Sequence, residues 1–446
     1  MEKRALWHNF PVLIAVAVWM SASSLPAAAD QKMEGGGGSK YIGAGSCSAT
    51  ACHGGVQPRT ITRILQNEYS IWAVQDPHAK AYRSLENSVS QRMGKILGIG
   101  DPTKAQKCLV CHALDVPPEK RGREFDISDG VSCESCHGPA SAWLGPHTQK
   151  DWPHEKNLAL GMTDQRGLDS RAERCLDCHL GNAKQQVDHE MIGAGHPDLV
   201  FELDSYTAIM PPHWKLPEDP NFGLRDWSVG QAVDLRETLK RLERHARSGQ
   251  WPEYADMDCF ACHHSLTKPE NSWRQERGYA GRQAGAPPFN TAHYAVFRLL
   301  ARELDSRAAD ELETAMDAVY KNVGRYSTPS KEVADNAARA GRIAEDLVGK
   351  VNSARFDRSM TARLLAAVAA NGNKLADEDT RTAEQAAMTL DSLYISYSKQ
   401  GGQQPGVRSA IDGLFKLLDN PSAYNAPQFR AQMERVNAAL RDAGIH

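Results

Sequence analysis

Residues 133–137 read Cys-Glu-Ser-Cys-His, and the pattern behind them, C-x-x-C-H, decides how this chain folds. The same pattern returns at residues 108–112, 175–179 and 259–263, and a stretched form, C-x-x-x-x-C-H, occupies residues 47–53. The five motifs contain all ten cysteines of the chain: Cys47, Cys52, Cys108, Cys111, Cys133, Cys136, Cys175, Cys178, Cys259 and Cys262. Four unstretched matches are far more than this composition produces by chance.

The spacing of the motif matches the chemistry of covalent haem attachment. Two thiols on one turn can each form a thioether with a haem vinyl group, while the imidazole of the next residue ligates the iron. A zinc ribbon gives no reason for that histidine, and disulfide formation is the other fate of exported cysteine pairs. The stretched motif is the weakest, because two extra residues need a looped turn. We predict five haems c with these proximal ligands: His53, His112, His137, His179 and His263.

The N-terminus has the features of an export signal. Lys3 and Arg4 precede an apolar run over residues 11–20, and three alanines at residues 27–29 form a cleavage site. The run is about half the ~20 residues needed to span a membrane, and no later segment is apolar enough to span one. We expect a signal peptide over residues 1–29, a flexible segment over residues 30–46, and a periplasmic or secreted protein.

Composition sets the fold class and excludes some partners. A hydrophobic content of 41% argues against disorder, and 52 basic against 55 acidic residues provide no strong field for nucleic acid. Residues 47–289 are predicted to form a pentahaem domain of short helices and long loops, in which porphyrins supply the core. From residue 290 to 446 there is no cysteine or tryptophan, and alanine-rich periodic segments predict an α-helical domain. The fold class is therefore mainly α.

Two segments carry a resemblance to a known family. Residues 71–81, Ile-Trp-Ala-Val-Gln-Asp-Pro-His-Ala-Lys-Ala, and residues 130–139, followed by His147, resemble the tetrahaem cytochromes c that accept electrons from hydroxylamine oxidoreductase in nitrifying bacteria. The resemblance implies that His78 caps the iron held by His137, that His147 caps the iron of the first motif, and that the haem on His112 keeps an open face.

The chain also departs from this family. It has a fifth motif and a stretched first motif, and Ser170 stands where the family has a histidine. The resemblance therefore leaves the fourth haem in need of another distal ligand.

Neutral imidazole is a strong ligand for the second face of a haem iron. The leading distal candidates outside the motifs are His78, His147, His189, His196 and His293. His196 has small neighbours that allow close approach, whereas His293 shares a helical face with apolar residues and is alternatively a buried core histidine. Weaker candidates are His154, His213, His245 and His264.

Covalently attached haems on one exported chain indicate an electron carrier between a donor and an acceptor protein. One alternative is an oxidoreductase acting on a small nitrogen, sulfur or oxygen species at an open haem. No motif in the chain ends in the lysine that would mark a catalytic haem, which favours the carrier. Another alternative is a subunit of an extracellular cytochrome filament. The sequence leaves self-association open.

Overall fold

The computed structural model describes residues 38–62, 64–215, 217–263, 286–290, 292–420 and 423–446. The predicted signal peptide and His264 lie outside these residues. The expected fold class, mainly α, is confirmed: within the described ranges, extended backbone pairs only at the isolated bridges Tyr41–Arg121 and Met257–Phe289. No helix in the described ranges is long and apolar enough to cross a membrane.

The first part of the chain consists of short helices joined by longer loops, as glycine and proline punctuation predicts. These helices are α1 (Glu68–Gln75), α2 (Ala81–Ser84), α3 (Ser88–Ile96), α4 (Gln106–His112), α5 (Cys133–His137), α6 (His154–Ala159), α7 (Leu168–Leu176), α8 (His189–Ala194) and α9 (Leu203–Ile209). Helices α4 and α5 carry the second and third motifs, and α7 runs into the fourth. A π-helical turn, Asp177–Gly181, completes the fourth motif.

Polar contacts, rather than apolar side chains, order much of this part. Leu85, Leu109 and Ala113 form a small apolar cluster. The carboxylate of Glu134, only 2% exposed, accepts backbone N–H groups of Ile42 at 3.0 Å and Gly43 at 2.8 Å. This contact ties the chain ahead of the first motif to the third motif, so residues 42 and 43, which were expected to lie in a flexible segment, are held in place.

The second part is a bundle of longer helices. They are α10 (Phe222–Arg247), α11 (Ala292–Ala295), α12 (Phe297–Leu304), α13 (Ser306–Val323), α14 (Ser330–Ser353), α15 (Arg358–Ala370), α16 (Gly372–Glu378), α17 (Thr380–Gly401), α18 (Pro405–Leu418) and α19 (Ala426–Asp442). Aspartate or asparagine side chains cap the N-termini of α13, α15, α17 and α19. Fully buried Leu, Val, Met and Phe side chains fill the space between the helices.

Helix α10 lies before residue 290 in the sequence, yet it packs within the bundle. It runs along α14 and also contacts α7, α9 and α17. Trp227 of α10 is fully buried, and its indole N–H donates to Thr389 Oγ1 of α17 at 3.1 Å. Leu176, within the fourth motif, and Leu180, directly after it, belong to the same apolar core. The change in composition at residue 290 thus differs from the boundary between packed regions.

The fifth motif sits in the connection between α10 and α11, against the bundle. The N–H of Asp258 donates to the carbonyl of Pro288 at 3.0 Å, and that of Asn290 donates to Asp256 at 3.0 Å. Arg381 of α17 lies 3.5 Å from the Cys259 Sγ. Both cysteines of this motif are exposed, whereas those of the other motifs are partly buried.

Candidate haem centres

Helical geometry places the cysteines and the histidine of a motif on one side of the chain. In α5, residues 133, 136 and 137 are three and four positions apart, and such residues lie on one helical face. Ser132 and Ser135 form a capping box at the start of α5, and Gly138 ends it with a φ of 78°. A Cβ on Gly138 would lie 2.8 Å from the carbonyl oxygen of Gly161, so this position requires glycine.

The stretched first motif folds as a looped turn, as its two extra residues require. The N–H of Cys52 donates to the carbonyl of Ala49 at 2.8 Å, and that of His53 donates back to Cys47 at 3.3 Å. A Cβ on Gly54 would lie 1.7 Å from the Ser48 carbonyl oxygen, so the close approach needs glycine. The turn therefore returns His53 to the side of the first cysteine.

Four proximal histidines each face a second histidine at nearly the same separation. The ring centroids are 6.4 Å apart for His53 and His147, 6.3 Å for His112 and His196, 6.2 Å for His179 and His78, and 6.2 Å for His263 and His189. The ring planes differ by only 6° in the first pair but by 85° and 88° in the second and third.

This separation fits one iron ion held between two imidazoles. Bonds between a metal and an imidazole nitrogen are about 2 Å long. Ring bonds of roughly 1.3–1.4 Å place each nitrogen about 1.1 Å from the ring centre. Two such bonds and two such radii sum to about 6.2 Å, close to each observed value. Direct stacking of two imidazoles in van der Waals contact would bring the centroids much closer.

Hydrogen bonds at Nδ1 orient several of these rings. The Nδ1 atoms of His53 and His78 lie 2.9 Å from the carboxylates of Glu68 and Asp76 respectively. Backbone carbonyls serve the same purpose for His112 (Ala81, 3.0 Å), His147 (Leu144, 2.5 Å) and His196 (Pro197, 2.7 Å). An acceptor at Nδ1 fixes the proton there and leaves the Nε2 lone pair free for a metal.

The surroundings keep several of these histidines neutral, as a metal ligand must be. Burial lowers the pKa of His179 to about 4 and also lowers that of His112. Desolvation by the surrounding chain lowers the pKa of His137 to about 4, although its surface is solvent-accessible. The hydrogen bond to Glu68 instead raises the pKa of His53.

The structure places three histidines relative to the ligand exchange that the family resemblance implies. One lies where that exchange would put it, and two do not. His147 lies opposite His53, as the resemblance implies. His78 lies against His179 rather than His137, because Asp76 binds both its backbone N–H and its Nδ1 and holds the ring in that direction. His112, expected to keep an open face, has His196 across from it.

Two further candidates lie in the bundle beside buried carboxylates. The Nδ1 of His293 is 2.8 Å from Asp234 Oδ2, and that of His245 is 2.6 Å from Asp256 Oδ2. His293 faces a cavity between α10, α11 and α17. Its alternative reading as a buried core histidine agrees with this position, and its role as a distal ligand stays a prediction.

Cysteines of different motifs also meet. Cys47 and Cys133 are close enough for each thiol to shift the pKa of the other, and so are Cys111 and Cys178. These contacts bring the first motif beside the third and the second beside the fourth. Motif spacing along the chain gives no signal for this pairing, which depends on how the loops fold.

Comparison with known proteins gives similarity over the first motifs only. The family described as "Cytochrome c554 and c-prime" matches residues 47–138. Cytochrome c-554 of Nitrosomonas europaea is 32% identical over 116 residues, which cover 23% of this chain and 48% of the relative. The chain thus spans about half the length of that relative, and no solved structure matches it. In this part the chain resembles the multihaem cytochromes c of the c554 type.

Proposed function

We propose that this protein is an exported c-type cytochrome that passes single electrons between redox partner proteins through five haems c. One haem would be attached at each motif, and its iron would supply one-electron chemistry. The observation that carries the proposal is the repeated separation of 6.2–6.4 Å between a motif histidine and a second histidine. The similarity to cytochrome c-554 over the first motifs supports it.

The same pairs favour a carrier over an enzyme. An iron with an imidazole on each face has no free position for a small substrate, and such irons are suited to electron transfer. The pair of His112 and His196 bears most directly on this choice, because the haem of the second motif was expected to be open. The enzyme alternative then depends on the third motif. Among the described residues, His137 is the motif histidine that has no second histidine ring at 6.2–6.4 Å.

Contacts between motifs support a linear order for the relay. The first and third motifs meet at Cys47 and Cys133, and the second and fourth meet at Cys111 and Cys178. Cys136 of the third motif acts electrostatically on Cys175 of the fourth. The partners of the second and fifth motifs, His196 and His189, lie at the two ends of one short segment that includes α8. We therefore order the motifs first, third, fourth, second, fifth.

The fifth motif would be the end of the relay that meets a partner. Cys259 and Cys262 are exposed, and Tyr254, which lies 5.7 Å from the His189 ring centroid, is 47% exposed. An exposed haem edge at the end of a relay allows a donor or acceptor protein to approach closely.

A haem count and a variant of one paired histidine test the proposed function. Pyridine haemochrome assay should give five haems per chain, none released on denaturation. His147→Ala should then convert one low-spin iron to high spin while all five haems stay attached. His446→Ala is the matched control, because His446 follows α19, is exposed and is not among the candidate ligands. Absence of covalent haem would overturn the function, and an unchanged spin count in His147→Ala would overturn the role of that residue.

A further inference from the structure

We infer that Arg381 is a positioning residue that holds the fifth motif against the bundle and raises the reduction potential of the iron at that motif. The inference rests on the proposed function, because it requires a haem attached at Cys259 and Cys262. It gives α17, a helix of the C-terminal bundle, a part in electron transfer in addition to its part in packing.

The guanidinium of Arg381 contacts the chain at three points. Arg381 lies in the first turn of α17, and its side chain is only 15% exposed. Its Nη2 lies 3.5 Å from the Cys259 Sγ, and its Nη1 donates to the carbonyl oxygen of Ala255 at 3.3 Å. Its Nε pairs with the carboxylate of Asp198. Because the guanidinium is planar and rigid, these contacts fix the fifth motif relative to α17.

The turn ahead of the fifth motif is also held from the side of α10. The carboxylate of Asp256 lies 2.7 Å from the guanidinium of Arg241 and 2.6 Å from the Nδ1 of His245. The backbone carbonyl of Asp256 accepts the N–H of Asn290 at 3.0 Å. Since the turn is restrained by two helices, Arg381 meets the sulfur of the motif in a restricted geometry.

The ion pair with Asp198 connects the fifth motif to the second. Asp198 lies two residues after His196, whose ring is 6.3 Å from that of His112. Arg381 therefore joins an attachment cysteine of the fifth motif to the segment that carries the proposed distal ligand of the second. In the proposed order of the relay, these two motifs are neighbours, so Arg381 lies at the last transfer step.

The positive charge of Arg381 gives its effect on the iron a definite sign. Reduction adds one electron to ferric iron without forming or breaking a bond, so the oxidised haem has one more positive charge. A guanidinium beside the attached sulfur disfavours the oxidised form, whereas a carboxylate favours it. The carboxylates of Asp198, Asp258 and Asp379 also act electrostatically on Cys259. Removing Arg381 leaves negative charge to dominate, and the potential should fall.

Two variants of one ion pair, Arg381→Gln and Asp198→Asn, test this role in the purified protein with its haems. A redox titration followed by low-temperature EPR measures each iron. The fifth pair, His263 and His189, is distinguished by its ring tilt of 34°, between the 6° of the first pair and the 85° and 88° of two others.

The two variants should shift the fifth iron in opposite directions. In Arg381→Gln the ratio of oxidised to reduced iron at a fixed potential should rise about tenfold, which is about 59 mV for a one-electron couple. In Asp198→Asn the ratio should fall, and Arg381→Lys should keep most of the original potential. Arg363→Gln is the control, because Arg363 is another bundle arginine, paired with Glu303 at 2.9 Å, and should shift no potential.

Other outcomes separate this inference from the proposed function. Shifts of the fifth iron in the same direction in Arg381→Gln and Asp198→Asn would show that the ion pair acts through packing alone, and would overturn the inference. An unchanged fifth iron in both variants would also overturn it and leave the electron-carrier function standing. Absence of haem at the fifth motif of the unaltered protein would contradict the pentahaem function itself. If Arg381→Gln fails to fold, Asp198→Asn decides alone, and a potential that does not rise overturns the inference.

Discussion

The bundle of α10 to α19 and the loops around the first three motifs, residues 38–165, stay folded by different means. The bundle buries large side chains completely, among them Phe297, Leu312 and Phe429. Burying one such side chain contributes roughly 1.5–3 kcal/mol. Residues 38–165 have instead the small cluster around Leu85 and Leu109, together with buried polar anchors such as Glu134. The bundle thus supplies its own apolar core, whereas residues 38–165 need another source of stability, which the proposed haems would provide.

Withholding haem should therefore separate the two regions, and this is the largest effect we expect. In a chain whose ten cysteines are replaced by alanine, residues 38–165 should lose most of their amide-exchange protection while α10 to α19 keep theirs. Hydrogen exchange read by mass spectrometry measures both regions in one sample. Equal protection of residues 38–165 with and without haem would contradict the account.

A cavity created in the bundle should destabilise α10 to α19 and leave the region around the first three motifs unchanged. Trp227→Ala removes a fully buried side chain and its hydrogen bond to Thr389, at an expected cost of about 3–5 kcal/mol. The apparent Tm of the helical far-UV signal should fall by several degrees while the haem count and Soret band stay unchanged. Ile395→Ala, at a position 37% exposed, is the control and should shift the apparent Tm little. Loss of haem in Trp227→Ala would show that the regions fold as one unit.

A buried carboxylate at the junction of the two regions gives a smaller, pH-dependent effect. Burial raises the pKa of Asp226 to about 7, and burial with nearby Glu202 raises that of Asp204 to about 8. A carboxyl whose pKa is raised on folding binds its proton more tightly in the folded state. Its contribution is therefore complete below about pH 4 and is lost as pH rises toward the folded pKa.

Asp226→Asn should accordingly stabilise the protein by roughly 2 kcal/mol more at pH 8 than at pH 5. Thermal unfolding at the two pH values measures the difference. Asp310→Asn, at an exposed position of α13, is the control and should show no such pH dependence. An equal effect of Asp226→Asn at both pH values would show that the carboxyl is already ionised in the folded protein.

The smallest predicted effect is a change in the reduction potential of one haem iron, caused by a substitution at Asp76. Asp76→Asn keeps a cap for the N–H of His78 but removes the negative charge beside its Nδ1. A charge-assisted hydrogen bond is about 1 kcal/mol stronger than a neutral one, which corresponds to roughly 40 mV for a one-electron couple. The potential of the iron between His78 and His179 should rise by that amount in a spectroelectrochemical titration. An unchanged set of potentials would mean that the carboxylate does not tune this iron.

Local sequence features carried the strongest predictions: the mainly α fold is confirmed, and the roles of the motif residues stay predictions. The motif cysteines and proximal histidines follow from spacing alone, and the helical bundle follows from its periodic apolar residues. Sequence reasoning did not detect that α10 joins the bundle, although Leu235, Leu239 and Leu242 recur at helical spacing and could have shown it. The composition change at residue 290 concealed the signal, because it records where cysteine and tryptophan stop rather than where packing changes.

The pairing of histidines could not be derived from sequence, for a physical reason. Each pair joins residues far apart in the chain, such as His112 and His196. In three of the four pairs, an acceptor also holds the Nδ1 of at least one ring. His78 shows most clearly what the sequence alone cannot predict. The resemblance identified it as a distal candidate, but the choice between His137 and His179 depends on the turn that Asp76 fixes.

The central claim is that paired histidines hold four of the five haem irons from both faces, and low-temperature EPR of the oxidised protein, with a carbon monoxide titration of the reduced protein, tests it directly. We predict at least four low-spin irons, and a shift of the Soret band with carbon monoxide from no haem other than that of the third motif. The nearly parallel rings of His53 and His147, at 6°, should give a different low-spin signal from the pairs at 85° and 88°. Two or more high-spin irons, or carbon monoxide binding by more than one haem, would contradict the account.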